Sequence, residues 1–116
     1  MRTAILHGRV ITPFQVIEDA NVLVENGKIL AVQDGSAAIA AADDVFDAEG
    51  LYVSPGFVDI HTHGGGGFDY MDGTPEAFIG AAKTHLRFGT TSLTTTTLSC
   101  SDEELFTVLR CYETVK

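Results

Sequence analysis

The segment Pro55-Gly56-Phe57-Val58-Asp59-Ile60-His61-Thr62-His63 decides the fold of this chain. Phe57 to His61 form a short, mostly apolar run, which is typical of a parallel strand buried on both faces. The glycine run Gly64-Gly65-Gly66-Gly67 follows it and predicts a loop leading from the strand to a helix. His61 and His63 are therefore predicted at the carboxyl end of a strand, where parallel α/β folds place their active sites.

The spacing of the two histidines predicts a metal site. Side chains alternate between the faces of a strand with period two, so the imidazoles of His61 and His63 point the same way. Two converging neutral imidazoles can chelate a transition metal. Asp59 shares their parity, and its carboxylate is predicted to orient a histidine ring from behind the metal ligands. In the alternative interpretation each histidine merely caps the strand through a backbone hydrogen bond; the strand context and the glycines favour the metal site.

The residues after the glycine run predict helix, strand and helix. Thr74-Pro75-Glu76 combines an N-cap residue, a proline at the first helical position and an early acid. Thr90 to Leu98 is almost entirely β-branched and predicts a strand. Ser101 and Glu104 form a capping box before the last helical stripe. Strands that alternate with helices indicate parallel pairing with crossover helices, so residues 55–116 are predicted to be α/β.

Residues 1–54 predict an antiparallel β unit. Asn26-Gly27 between two apolar runs is a strong hairpin signal, because both residues tolerate positive φ. Ser54-Pro55-Gly56 interrupts the pattern and marks the boundary between residues 1–54 and 55–116. The predicted strands are Thr3 to Leu6, Arg9 to Thr12 beyond Gly8, Ala20 to Val24, Lys28 to Val32, and a last pair, Val45 to Asp47 with Leu51 to Val53.

Composition restricts the possible partners and compartments. The 116 residues carry 7 Lys and Arg against 16 Asp and Glu, a formal charge of −9, which argues against nucleic-acid and anionic-membrane surfaces. Two cysteines exclude a disulfide framework and favour a reducing compartment. With no signal-peptide pattern and no apolar run of membrane-spanning length, a cytoplasmic location is expected.

The other candidate residues have simpler structural interpretations. Gly64 to Gly67 matches neither the P-loop nor the dinucleotide fingerprint, so a flexible loop and a substrate-facing loop are equal alternatives. His7 and His85 are interpreted as structural or exposed, Asp69 and Asp72 as solvated or capping, and Cys100 and Cys111 lack zinc-site spacing.

The nine-residue segment around the histidine pair resembles the first-strand signature of the amidohydrolase superfamily of metal-dependent hydrolases. The continuation, Met71-Asp72-Gly73-Thr74-Pro75-Glu76-Ala77 and Phe88-Gly89-Thr90-Thr91-Ser92, resembles the N-acetylglucosamine-6-phosphate deacetylases within it. The resemblance covers nearly the whole chain. It implies that residues 1–54 are strands of a small β-sandwich and that residues 55–116 are the first two βα units of a catalytic (β/α)8 TIM-like barrel.

The resemblance also implies a reaction and a cofactor. The family hydrolyses the acetamide of N-acetylglucosamine 6-phosphate to glucosamine 6-phosphate and acetate, using a divalent metal (Zn, Fe, Mn or similar) that activates water. His61 and His63 match two of its metal ligands. The remaining ligands and the catalytic aspartate lie on later strands, so no catalytic residue is assigned here and the 116 residues alone are expected to be inactive. A barrel takes about 250 residues.

Two other functions are kept as alternatives. The histidine signature alone also suits amidohydrolases of cyclic amides, such as dihydroorotases and hydantoinases. A short, non-catalytic β-rich module that binds metal through the same pair is the second alternative. For the whole enzyme an amino-sugar phosphate substrate and a homodimer are expected. The 116-residue chain itself is expected to bind metal weakly and to self-associate through its open sheet edges.

Overall fold

The computed structural model describes all 116 residues, and the backbone separates into two units, Met1–Pro55 and Gly56–Lys116. This division falls one residue after the boundary proposed from the sequence; the assignment of the units to a sandwich and a barrel stays a prediction. The strands are β1 (Arg2–Ile11), β2 (Val16–Glu25), β3 (Lys28–Asp34), β4 (Asp44–Asp47), β5 (Tyr52–Val53), β6 (Phe57–Thr62), β7 (Gly64–Gly65), β8 (Phe68–Asp69) and β9 (Thr90–Thr95). The helices are a short 3-10 helix (Tyr70–Asp72), α1 (Pro75–Leu86) and α2 (Asp102–Val115).

The first unit is built around β1. Strand β2 pairs with it antiparallel, and β3 pairs antiparallel with β2. The predicted hairpin is confirmed, because Asn26 and Gly27 join β2 to β3 with φ angles of 51° and 77°. Apolar side chains on one face of the sheet then pack into a small core of Val10, Ala20 and Val22.

The predicted antiparallel unit is a mixed sheet. Strands β4 and β5 both pair with β1, in parallel, instead of pairing with each other around Glu49-Gly50 as expected. The reason is the connection between Gly35 and Asp43, which carries the chain from the β3 edge to the far side of β1. A strand that arrives there by such a crossover runs parallel to its neighbour.

The first predicted break in the sheet is a bulge and not a turn. Strand β1 runs through Gly8 without interruption, whereas the sequence predicted two separate strands on either side of it. The register against β2 shifts on both sides of Gly8, and His7 has a φ of 49°. An extra residue in one strand bends that strand without ending it, so a glycine here did not mark a strand end.

The second unit has the predicted strand–helix–strand–helix order. Strands β6 and β9 are parallel and are connected through α1, which confirms the crossover arrangement. Strand β9 ends at Thr95, three residues earlier than predicted. The core between the helices and the sheet is formed by four buried residues, Tyr70, Phe78, Ala81 and Val108.

The expectation that β6 is buried on both faces is wrong for this chain. Val58 and Ile60 are 70% and 78% exposed. Strand β6 has a single hydrogen-bonded neighbour, β9, so its other edge is open and its apolar side chains are only partly covered. Such an edge is a ready site for pairing with another strand.

Both helices begin at the caps predicted from the sequence. The Thr74 side chain accepts a hydrogen bond from the Ala77 amide at the start of α1. At the start of α2, the Ser101 hydroxyl and the Glu104 carboxylate form the predicted capping box. Neither helix is long and apolar enough to cross a membrane.

Replacing Ser101 with alanine is expected to destabilise the protein by about 1 kcal/mol, the usual cost of losing an N-cap side chain. Hydrogen bonds from the Ser101 side chain and then its backbone amide lower the pKa of Glu104. The stabilisation from this carboxylate is therefore present above its ordinary pKa and lost as the pH falls through the lowered value. Urea unfolding from pH 7 down to pH 3 measures both effects. The free energy of unfolding of S101A should fall less toward low pH than that of the unaltered protein. An S99A variant, two residues before the box in the loop that precedes α2, serves as the control.

Candidate metal centre

The imidazoles of His61 and His63 converge at the end of β6. Their Nε2 atoms are 3.2 Å apart. The rings are nearly perpendicular, at 76° with centroids 5.1 Å apart, so they meet edge to face and not as a stack. The His61 ring is exposed and the His63 ring is half-buried. Period-two alternation thus brings both rings to one place, as the spacing predicts.

A backbone contact determines which nitrogen of His63 carries its proton. The His63 Nδ1 atom lies 3.1 Å from the carbonyl oxygen of Thr96, just beyond β9. A carbonyl oxygen only accepts, so Nδ1 carries the proton and donates it. In the neutral ring Nε2 then has a free lone pair, directed at His61. A second-nitrogen bond of this kind is what orients histidines that bind metals.

The geometry of the pair fits a divalent metal. Two nitrogens at 2.0–2.1 Å from a tetrahedral ion are about 3.3 Å apart, close to the 3.2 Å between the two Nε2 atoms. The structure places no group of three or more His, Cys, Asp and Glu side chains that could hold an ion. Binding of a metal by His61 and His63 stays a prediction.

The Asp59 carboxylate acts on the backbone and not on an imidazole. Its Oδ1 accepts a hydrogen bond of 3.0 Å from the amide of His61, so it fixes the chain at His61. A direct role for Asp59 in orienting a ring stays a prediction. The nearby Tyr70 side chain is buried, and its pKa is raised first by that burial and then by the charge of Asp59.

The glycine run forms a tight hairpin. Gly64 and Gly65 pair antiparallel with Phe68 and Asp69, and the Tyr70 amide returns to donate to the carbonyl of His63 at 3.1 Å. The hairpin lies against α1. The sequence predicted an unpaired loop here, either flexible or facing the substrate, whereas the structure shows a paired hairpin. Contact of this hairpin with a substrate stays a prediction.

Sequence reasoning missed the link between this hairpin and α1. The His85 Nε2 atom lies 2.9 Å from the Gly64 carbonyl oxygen and 3.1 Å from the Thr62 hydroxyl. One signal for it was available, because His85 lies four residues after buried Ala81 and seven after buried Phe78, on the apolar stripe of α1. Its structural role agrees with the interpretation given above.

The other candidate residues have local structural roles. Asp69 accepts from the Met71 amide and Asp72 accepts from the Asp69 amide, which confirms the capping interpretation. His7 lies 3.0 Å from Asp47 in the first unit. Both cysteines are free.

Curated relatives match part of the chain. No protein-family profile matches it. A dihydroorotase of Trichlorobacter lovleyi is 45% identical over 64 residues, covering 54% of this chain and 15% of the relative. An imidazolonepropionase of Thermoanaerobacter pseudethanolicus is 51% identical over 47 residues, covering 40% of this chain and 11% of the relative.

Solved structures match almost the whole chain. An N-acetylglucosamine-6-phosphate deacetylase from Pasteurella multocida shares the fold with a TM-score of 0.89 at 22% identity, over 99% of this chain and 30% of that protein. The Mycobacterium smegmatis deacetylase has a TM-score of 0.78 at 28% identity, over 97% of this chain and 31% of that protein. These comparisons support the amidohydrolase superfamily for this chain. A D-hydantoinase matches less closely, with a TM-score of 0.60 at 28% identity over 99% of this chain and 24% of that protein.

The chain spans 15% of the first dihydroorotase relative and 30% of the Pasteurella deacetylase. The superfamily predicted from the histidine signature is thus supported over the part that the chain covers, and the barrel stays a prediction.

Proposed function

We propose that this chain provides the first metal ligands of a divalent-metal-dependent amide hydrolase. The single observation that carries the proposal is the convergence of two imidazole nitrogens to 3.2 Å, with the proton of His63 held at Nδ1 by Thr96. In this proposal residues 1–54 are strands of a small β-sandwich, and residues 55–116 are the first two βα units of a barrel. The deacetylase structures, which match over 97–99% of the chain, support that architecture.

The proposed reaction is removal of the acetyl group from N-acetylglucosamine 6-phosphate. It rests on the likeness to the Mycobacterium smegmatis deacetylase, at 28% identity and a TM-score of 0.78, and on the segment from Met71 to Ala77. The products would be glucosamine 6-phosphate and acetate. Water would supply an oxygen to the acetate and a proton to the amine as the amide C–N bond breaks, so the proposed reaction is a hydrolysis.

Hydrolysis of a cyclic amide is the second candidate. It is favoured by the curated dihydroorotases, which are 45% and 48% identical over 64 residues. Those matches are higher in identity than the deacetylase structures but cover only about half of the chain. Both candidates use the histidine pair in the same way and differ in the substrate.

The chain's own residues contribute positioning in either reaction. A divalent cation, when bound, supplies Lewis acidity toward a carbonyl oxygen and toward water. His61 and His63 would hold that cation, since their Nε2 atoms converge to 3.2 Å. The Thr96 carbonyl keeps the His63 proton on the opposite nitrogen, and the Asp59 carboxylate holds the backbone amide of His61. Because His63 already presents its lone pair, only His61 must keep its proton on Nδ1 to bind.

The test is a substrate comparison with the protein that carries these 116 residues in its full reading frame. We expect acetate release from N-acetylglucosamine 6-phosphate, and no ring opening of dihydroorotate or hydantoin. Turnover of a cyclic amide alone would replace the deacetylase proposal with the second candidate. Dialysis against a chelator should remove the activity, and added zinc or manganese should restore it.

A further inference from the structure

We propose that His85 is a positioning residue that holds His63 in its metal-binding orientation. The inference rests on the proposed metal site. A single nitrogen of His85 contacts both residues that flank His63, at 2.9 Å from the Gly64 carbonyl oxygen and 3.1 Å from the Thr62 hydroxyl.

The chemistry of these contacts determines the direction of the hydrogen bonds. The Gly64 carbonyl can only accept, so the Nε2 of His85 carries a proton and donates it. The Thr62 hydroxyl donates to the same carbonyl at 3.2 Å, and it can accept from His85 in a bifurcated bond. Thr62 is only 8% exposed, so these bonds form away from competing water.

The absence of a side chain at Gly65 lets the His85 imidazole approach the Gly64 carbonyl. A Cβ atom there would lie 3.0 Å from the His85 Nε2 atom, which is tighter than ordinary van der Waals contact. A side chain at this position would displace the ring from the carbonyl that it binds. The second glycine of the run is therefore explained by the approach of His85.

Other bonds hold His63 from the β9 side. The Thr96 amide donates to the carbonyl of Thr62 at 2.9 Å, and the Thr96 carbonyl accepts from His63 Nδ1 at 3.1 Å. The Tyr70 amide binds the carbonyl of His63 itself. With His85 on the helix side, the peptide groups before and after His63 are fixed, and so is the direction of its ring.

Loss of the His85 donor should therefore loosen the pair without removing a ligand. The Gly64 carbonyl would lose its strongest partner, and the hairpin after His63 could shift. Partners behind metal ligands typically change metal affinity by about 10–100-fold. Since His85 acts through the backbone and not on the ring, we expect about a tenfold loss of zinc affinity.

The experiment follows zinc titrations of the protein with 15N-labelled histidine by NMR, reading the His61 and His63 ring nitrogens. His85→Leu removes the donor and keeps a good helix former. His85→Gln keeps an N–H donor at the same number of bonds from the backbone, whereas His85→Asn is one bond too short. Lys83→Leu is the matched control on the same turn of α1, and His63→Ala reports on the metal site itself.

We expect H85L and H85N to weaken zinc binding about tenfold, and H85Q and K83L to bind as the unaltered protein does. Hydrogen exchange of the Tyr70 amide, measured without metal, should speed up in H85L and H85N only. If H85L does not fold, the H85N and H85Q pair makes the same comparison. The role of His85 is overturned if H85L and H85N keep the zinc affinity of the unaltered protein, or if H85Q binds zinc as weakly as H85L. A loss of zinc affinity in H63A would in that case still support the metal site. Unchanged binding in H63A overturns both.

Discussion

Replacing His63 with alanine is expected to lower the zinc affinity of the histidine pair by at least about 100-fold. Residues behind metal ligands already cost about 10–100-fold when they are changed, and His63 is proposed as a ligand itself. The Thr96 contact holds the His63 proton on Nδ1, so the Nε2 lone pair of His63 is free to bind a metal. The Nδ1 atom of His61 has no such contact to fix its proton. With His63 gone, one exposed imidazole remains, and a single imidazole does not chelate.

Zinc titration followed by histidine 15N NMR measures this effect. His7→Ala is the control, because it removes an imidazole that contacts Asp47 in the first unit and leaves the pair intact. Retention of zinc affinity within threefold in H63A would contradict the metal site. It would favour the alternative in which each histidine only makes local hydrogen bonds.

Local signals in the sequence predicted the elements well. The hairpin at Asn26-Gly27 and the helix starts at Thr74 and Ser101 each depend on residues within four positions of one another. The direction of the His61 and His63 side chains follows from the strand period alone. In these cases the physical cause lies inside the stretch being examined.

Contacts between distant segments could not be predicted in the same way. Strands β4 and β5 lie beside β1 because of where the connection after β3 takes the chain, and no residue within them records that direction. The Thr96 carbonyl is a backbone group, and any residue at that position would supply it. His85 lay on the right stripe of α1, but its partner, a carbonyl 21 residues earlier, is also invisible in the sequence.

The glycines after the histidine pair carry the second large expected effect. Gly64→Ala should destabilise the second unit by about 3–5 kcal/mol. Gly64 has a φ of 149°, and an added Cβ would overlap the carbonyl oxygen of Phe68 and lie 2.9 Å from the Cα of Asp69. Both obstacles are backbone atoms of the paired strand, so no side-chain rotation relieves them.

Gly67→Ala separates the cost of a positive φ from the cost of the steric overlap with β8. Gly67 also has a positive φ, 88°, but a Cβ there would meet nothing within 4 Å. It should therefore cost only about 1–2 kcal/mol, the penalty for a left-handed backbone. Thermal unfolding of both variants, with zinc titration beside it, measures the difference. The hairpin begins directly after His63, so G64A should also weaken zinc binding while G67A should not. Equal destabilisation by both substitutions would mean that backbone conformation alone, and not the close approach of β8 to Gly64, requires glycine in this run.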